Sequence, residues 1–103
     1  MSKVAIVAKM TAKEGQRDQL VEALQPLLEA VKGESGTEVY AMHTDSSAPE
    51  VVWFYELYTD QEAMMLHGTS QTMKAVGGEL AGLLAGKAEL YFLEPAAAKG
   101  LSI

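Results

Sequence analysis

The stretch VVWFYELY at residues 51–58 decides the fold. Its β-branched and aromatic side chains are enriched in strands, so we predict a strand here. Because successive side chains of a strand point to opposite sides, Trp53 and Tyr55 share one face. Phe54 and Tyr58 share the other. Both faces of this strand are therefore apolar, and each needs a covering layer.

The segments on either side of this strand complete a pattern of strands and helices. An unbroken apolar run predicts a first strand, and apolar residues at the i, i+3, i+4, i+7 spacing predict a helix after it. Turn-forming residues at 45–50 indicate that two strands form a hairpin. The predicted strands cover residues 4–11, 37–44, 51–58 and 88–93, and the predicted helices cover 16–31, 60 to about 66, and 70–84.

Several local features predict irregularities in these helices. Pro26 lies inside the first helix and should bend it or weaken one turn. Thr59 and Glu62 form a capping-box pattern, which predicts that the second helix begins after Thr59. The pair His67–Gly68 should interrupt that helix. The pair Gly77–Gly78 predicts a break or a close packing contact in the last one.

The order β-α-β-β-α-β is typical of the ferredoxin-like arrangement, an α+β fold with an antiparallel sheet. The helices of one chain cover one face of such a sheet, so the second apolar face needs a partner. We therefore predict a twofold homodimer, sheet against sheet, with an open-faced monomer as the alternative. We predict a single domain over residues 1–103, with a core at about 3–93 and a C-terminal tail at 94–103.

Composition excludes several classes of function. The 103 residues include 8 Lys and Arg and 14 Asp and Glu, a net charge of −6, which argues against nucleic acid or an anionic membrane as partner. Without cysteine, disulfides, thiolate metal sites and a cysteine nucleophile are excluded. No metal-ligand spacing, Gly-rich phosphate loop, signal peptide or membrane-length apolar run is found in the sequence, so we expect a cytoplasmic protein.

Two side chains are candidates for proton transfer. His67 lies where the short helix is predicted to end, and histidine is the side chain whose ordinary pKa suits proton transfer near neutral pH. The alternative is that it bonds a free carbonyl at the helix end. Glu56 is a carboxyl group within an apolar strand, where it must be paired or its pKa rises. It either holds a nearby group such as His67 or forms a structural pair with a lysine or a backbone amide.

Aromatic and methionine side chains are candidates for a pocket wall. Tyr40 and His43 lie on the second strand, whose register decides which face each of them joins. Met64–Met65 and Met73, on the later helices, would make a soft and adaptable wall. Core packing is the alternative for all of these side chains. The predicted substrate-binding residues are Tyr58, Phe54, Tyr40, His43 and Met73.

Three segments resemble the antibiotic biosynthesis monooxygenase (ABM) domain family. The first is ESGTEVY at 34–40, which contains a Gly-x-x-x-Tyr strand pattern. The second is WFYELYTDQEA at 53–63, an aromatic strand ending Glu-x-aromatic and followed by an acidic-Glu-Ala helix; the third is His67. Residues 70–75 and 83–86 are also similar to the family. The resemblance covers nearly the whole chain, and the order and spacing of the motifs make it specific.

The resemblance implies a dimeric α/β barrel with a cleft between sheet and helices. For the enzymes of the family it implies oxygenation of quinol-like or polyphenolic substrates by dioxygen, with no flavin, metal or other cofactor. A base that removes a phenolic proton leaves an electron-rich anion that can reduce dioxygen directly. By position, His67 is the candidate base or anchor, Glu56 its orienting partner and Tyr58 a pocket wall.

The chain also departs from parts of the family. The haem-degrading relatives carry an asparagine, a histidine and a tryptophan where this chain has Ala8, Gly77 and Tyr58, so haem degradation is not expected. Two other functions stay open on this scaffold. One is a non-catalytic dimer that binds a small molecule. The other is an isomerase or signal-processing enzyme for a phosphorylated sugar, which predicts a basic residue such as Lys74 or Arg17 in the cleft.

Overall fold

The computed structural model describes residues 2–103. None of the helices in this range is long and apolar enough to cross a bilayer. The strands are β1 (Val4–Thr11), β2 (Thr37–Thr44), β3 (Val51–Tyr58) and β4 (Glu89–Leu93); the helices are α1 (Arg17–Ala30), α2 (Gln61–Gly68) and α3 (Gln71–Leu80), with a 3-10 turn at Val31–Gly33.

The strands form one antiparallel sheet in the order β2-β3-β1-β4. Helices α1 and α3 pack against each other, on one side of this sheet. This is the ferredoxin-like α+β fold, so the fold class predicted from the sequence is confirmed. Strand β3 lies inside the sheet, between β2 and β1.

The register of β3 fixes which side chains point toward the helices. Ala8 of β1 and Met42 of β2 lie opposite Phe54, and both Phe54 and Tyr58 are fully buried. Burying each large apolar side chain contributes roughly 1.5–3 kcal/mol. The helices add their own share of this core, chiefly Leu20, Leu24 and Leu27 of α1 and Val76 and Leu80 of α3.

The ends of α2 differ from the prediction for local reasons. The helix is capped by Asp60 rather than Thr59, because Asp60 Oδ1 accepts a 2.8 Å hydrogen bond from the backbone N–H of Ala63. An aspartate at this position satisfies one of the free donors of the first turn. The helix then continues through His67 and ends at Gly68, so the predicted interruption at this pair is a helix end instead.

Pro26 and the Gly77–Gly78 pair both lie within continuous helices. Helix α1 is unbroken with Pro26 inside it. Helix α3 passes through both glycines, and no atom lies within 4 Å of a Cβ added at either one. The predicted break or close contact is therefore wrong. Buried Val76 and Leu80, on either side of the pair, hold this helix by tertiary packing, which outweighs the low helix propensity of glycine.

The opposite face of the sheet carries no helix among the described residues. Tyr55 is partly exposed there, and Tyr91 and Leu93 of β4 are each 47% exposed. Residues 94–103 have no regular secondary structure. We call this surface the open face.

Candidate functional site

A cavity of about 450 Å³ lies between the sheet and helices α2 and α3. Its volume falls within the roughly 300–1,000 Å³ of small-molecule sites. Apolar side chains form most of the wall. The polar side chains on it include Tyr40, Glu56, Tyr58 and His67. We call this space the substrate cavity, a name that reflects the role we propose for it.

His67 is a deeply buried ionisable group on this wall. It is 4% exposed, and its Nδ1 lies 2.9 Å from Glu34 Oε1. Because a carboxylate only accepts hydrogen bonds, this contact assigns the proton of the neutral ring to Nδ1. Nε2 is buried and has no hydrogen-bond partner within residues 2–103. It therefore carries a free lone pair, which is what a general base requires.

A close approach between a loop and helix α2 places Glu34 beside His67. The loop between α1 and β2 carries Glu34. Gly36 in the same loop passes so close to α2 that a Cβ added to it would overlap Ala63 Cβ. Helix α2 carries His67 in its last turn. The missing side chain at Gly36 therefore lets the loop approach the helix closely enough for carboxylate and ring to meet.

Glu56 lies on the cavity wall but makes no hydrogen bond to His67. Its Oε1 accepts a 2.6 Å hydrogen bond from Tyr58 OH. Burial raises the pKa of Glu56 above its ordinary value, and the Tyr58 hydrogen bond and nearby His67 offset this only in part. The sequence predicts Glu56 as the orienting partner of His67, whereas the structure has Glu34 in that position. Glu56 instead accepts its hydrogen bond from the tyrosine two residues along its own strand.

Two tyrosine rings flank His67. The ring centroids of Tyr40 and Tyr58 lie 4.8 Å and 5.6 Å from that of His67. Burial raises the pKa of both phenols, and the neighbouring Glu56 raises them further. Both hydroxyls therefore stay protonated, and each can donate a hydrogen bond. Since the Tyr58 hydroxyl donates to Glu56, the Tyr40 hydroxyl is the one that remains able to donate to a bound molecule.

The other predicted pocket residues fall in three different places. Met73 lines the substrate cavity. Phe54 belongs to the buried core and packs on Tyr40 with 5.0 Å between ring centroids, so it supports the wall without lining it. His43 is exposed and lies opposite Trp53 in the β2–β3 register. This register puts His43 on the open face, so its predicted place in the cleft is wrong.

Reasoning from the sequence missed Glu34 as the partner of His67. It also missed much of the apolar wall, including Met10 of β1 and Phe92 of β4. The available signal for Glu34 was a carboxylate between two glycines, Gly33 and Gly36, directly before an aromatic strand. Four of the six methionines line the cavity: Met10, Met64, Met65 and Met73.

The substrate cavity has no positively charged lysine or arginine among its described lining residues. Arg17 donates instead to the carbonyls of Asp45 and Ala48 at the hairpin, and Lys74 is exposed on α3. The basic residue expected for a phosphorylated substrate is therefore not in the cavity. No three His, Cys, Asp or Glu side chains within residues 2–103 form a group that could hold a metal ion.

The sequence matches the family described as "Antibiotic biosynthesis monooxygenase" over residues 3–77. No curated protein matches the chain.

Solved structures share this fold over nearly their full length. A Caulobacter crescentus protein, provisionally described as an antibiotic biosynthesis monooxygenase, is 23% identical; 93% of this chain and 92% of that chain are covered, with a TM-score of 0.88. A Nitrosomonas europaea protein of unknown function is 25% identical over 99% and 97% of the two chains, with a TM-score of 0.85. A Chloroflexus aurantiacus protein, described like the first, is 23% identical over 98% and 100%, with a TM-score of 0.81.

Proposed function

Because the chain belongs to the antibiotic biosynthesis monooxygenase family, we propose that it is a cofactor-independent monooxygenase. Its substrate is a neutral quinol-like or polyphenolic small molecule and its oxidant is dioxygen. His67 is the catalytic base. Glu56, Tyr58, Tyr40 and Met73 contact the substrate.

The observation that carries this proposal is the state of His67 Nε2. This nitrogen is buried without a hydrogen-bond partner in the described chain, while Nδ1 is held by Glu34. Leaving a buried polar atom unpaired costs about 1–3 kcal/mol. Such exceptions call for an explanation, and a catalytic role is one of the recognised ones. In the proposed role a substrate hydroxyl supplies the missing hydrogen bond and then its proton.

Access to Nε2 requires a small movement of the cavity wall, since this atom is buried. Met64 and Met73 line the same cavity. Methionine side chains are unbranched and have three rotatable bonds, so they adapt to an irregular guest at low cost. The methionine side chains of the wall can therefore change rotamer when a flat ring enters.

The reaction needs no cofactor because the substrate anion is itself the reductant. His67 takes the phenolic O–H proton, and the phenolate passes one electron to dioxygen. The two radicals combine through a C–O bond at a ring carbon that bears hydrogen, and His67 returns its proton to give a hydroperoxide. The O–O bond then breaks as that carbon loses its hydrogen, and water leaves. A phenol and dioxygen thus give a quinone and one water, and every atom is accounted for.

The charge of the cavity favours a neutral guest that donates hydrogen bonds. The carboxyl group of Glu56 and the Nε2 of His67 are both acceptors. An anionic guest would meet Glu56 without a lysine or arginine on the wall to pair with. A polyphenol offers hydroxyl donors together with a flat apolar ring, which packs well against Tyr40.

The proposed working form is a homodimer joined through the open face. The partly exposed Tyr55 and the 47%-exposed Tyr91 and Leu93 lie on this face. Contiguous exposed apolar side chains of this kind mark interaction surfaces. A twofold arrangement covers the open face of both copies with a single contact.

The test is oxygen uptake with a panel of neutral quinols and polyphenols. Wild type should consume oxygen and, under ¹⁸O₂, yield a product carrying one ¹⁸O atom. His67→Ala should lower kcat about 10²- to 10⁴-fold, the usual contribution of general base catalysis. Lys74→Ala, which changes an exposed side chain of α3 away from the cavity lining and from the open face, is the control and should leave kcat unchanged.

Two results would contradict the proposal. One is an equal rate of oxygen uptake in wild type and His67→Ala. The other is a ligand-dependent rise in melting temperature with no oxygen uptake for any member of the panel, which would favour a non-catalytic binding protein.

A further inference from the structure

We propose that Glu34 is the positioning residue of this site: it fixes the proton of His67 on Nδ1, keeps the Nε2 lone pair free, and stabilises the imidazolium ion formed in turnover. The catalytic part of this inference rests on the proposed function. The part that concerns the proton position does not, because it is a property of the resting protein.

The contact between the two residues is short and shielded. Glu34 Oε1 and His67 Nδ1 are 2.9 Å apart, with side-chain exposures of 23% and 4%. A hydrogen bond on one ring nitrogen determines which nitrogen carries the proton. When Nε2 gains a proton, the ring becomes a cation next to a carboxylate in a largely desolvated place. A charge-assisted hydrogen bond is strong under these conditions.

The loop that carries Glu34 is held in place by several bonds. The Glu34 N–H donates to the Val31 carbonyl at 3.0 Å, and the Thr37 N–H donates to the Glu34 carbonyl at 3.1 Å. Thr37 Oγ1 donates to Glu34 Oε1 at 2.8 Å. The Thr59 N–H donates to the Gly36 carbonyl at 2.9 Å, which ties the loop to the start of α2. The carboxylate is therefore positioned before any guest arrives, as an efficient positioning group requires.

A second pocket gives access to Glu34 from outside the substrate cavity. This pocket has a volume of about 540 Å³ and is lined by the loop Gly33–Thr37, by Glu62 and by His67; we call it the loop pocket. His67 lines both spaces, whereas Glu34 lines only the loop pocket. A small carboxylate can therefore replace a deleted Glu34 side chain without competing for the substrate position.

The first experiment measures the proton position on His67 with no substrate present. Ring ¹⁵N chemical shifts of the labelled protein distinguish the Nδ1–H from the Nε2–H tautomer. Wild type should show Nδ1–H. Glu34→Ala should shift the neutral ring toward Nε2–H, and Glu34→Asp should retain part of the Nδ1–H form. Glu62→Ala, an exposed carboxylate lining the same pocket, is the matched control and should behave as wild type.

The second experiment measures turnover of the same variants. We expect kcat to fall about 10- to 100-fold in Glu34→Ala, with KM changed less than about twofold, because orientation is part of what a general base contributes. Formate should restore part of the lost rate in Glu34→Ala. It should leave the rates of wild type and Glu62→Ala unaltered. Amide ¹H–¹⁵N spectra check that each variant is folded.

The outcomes separate this inference from the proposed function. If Glu34→Ala keeps the Nδ1–H tautomer and matches Glu62→Ala in rate, the positioning role is overturned even though the enzyme is active. If the tautomer shifts in Glu34→Ala but wild type oxidises no quinol, the proposed function fails while the resting role of Glu34 stands. Loss of rate without any formate effect or tautomer shift would assign Glu34 to structure alone and also overturn the inference.

Discussion

The two faces of the sheet are both rich in aromatic side chains, but they differ in how their polar atoms are satisfied. On the open face, Trp53 Nε1 donates to Asp45 Oδ2 at 2.7 Å and Tyr91 OH donates to Glu89 at 2.9 Å. On the helix side, His67 Nε2 is buried with no partner in residues 2–103. Exposed aromatic residues with satisfied polar atoms indicate a packing surface. A buried unsatisfied nitrogen beside a cavity indicates a site for chemistry.

Two carboxyl groups show the same difference through their pKa values. The indole N–H of Trp53 and the backbone N–H groups of Ser47 and Ala48 hold the pKa of Asp45 at about 2. Burial raises the pKa of Glu56. The hydrogen-bond donors around Asp45 favour its charged carboxylate, whereas the apolar surroundings of Glu56 disfavour the charged form of that group.

The largest effect expected from a change on the open face concerns association. Tyr55→Glu would place a charge at the middle of this face, opposite Val7 of β1 and Ala41 of β2. An unpaired charge in an apolar interface is costly. The dissociation constant of the proposed homodimer should rise about 30-fold or more, as for loss of a hot-spot residue worth about 2 kcal/mol. Light scattering should show the mass falling from twice 11.0 kDa toward 11.0 kDa.

The matched control for this variant is Gln19→Glu, which adds the same charge at an exposed position of α1. It should leave the mass of the particle unaltered. A wild-type protein that stays at 11.0 kDa at all concentrations would contradict the dimer and leave the open face without a partner copy.

A second effect concerns the close approach of loop and helix that supports the site. Gly36→Ala should destabilise the fold by about 1–3 kcal/mol, because the added methyl group overlaps Ala63. Ala63→Gly alone should cost about 1 kcal/mol through helix propensity. The double variant should be less destabilised than the sum of the two, since the overlap is relieved. Urea denaturation measures the free energy of unfolding of all three variants. If the effects of the two single substitutions simply add in the double variant, overlap with Ala63 is not what destabilises Gly36→Ala.

A third effect is the pH dependence of stability conferred by Glu56. Its raised folded-state pKa means that folding favours the protonated form. The penalty is absent below the ordinary pKa of 4.5, grows as the pH rises through the raised value, and then stays constant. Glu56→Gln should therefore match wild type at low pH and become the more stable protein as the pH rises. Thermal melts of both proteins from pH 4 upward measure this difference. A stability difference that does not change with pH would argue against this assignment.

The smallest effect is expected for Asp45, which accepts the hydrogen bond from Trp53 of the open face. Its pKa is lowered from 3.8 to about 2, so its contribution to stability is present above the ordinary pKa and is lost as the pH falls through the lower one. Asp45→Asn should lower the melting temperature slightly near neutral pH and approach wild type toward pH 2. The effect is small because Asp45 is partly exposed and water screens its charge. Melting curves that diverge further in acid would contradict this explanation.

The strands could be predicted from the sequence because their signals are local. The predicted ranges 37–44 and 51–58 coincide with β2 and β3, since alternating or continuous apolar residues between turn-forming residues leave few other structures. The last helix was predicted to reach Leu84 but ends at Leu80. An apolar residue after a helix looks the same in sequence whether or not the backbone continues to be helical.

Only part of the site could be predicted from the sequence. His67 was identified by its chemistry and its position near a helix end. Its partner Glu34 is 33 residues away in the chain, and their contact depends on how closely the loop at Gly36 approaches α2. His43 was misplaced because one step of hairpin register moves a side chain to the other face.

The sequence by itself determined the alternation of strands and helices, the antiparallel sheet and the position of one histidine near a helix end. These follow from short-range periodicity, turn chemistry and residue type. Only the tertiary structure decided which carboxylate meets the ring, which histidine lies on the open face and which imidazole nitrogen is left unpaired. Those outcomes depend on distances of a few ångströms between segments far apart in the chain, and no local pattern specifies them.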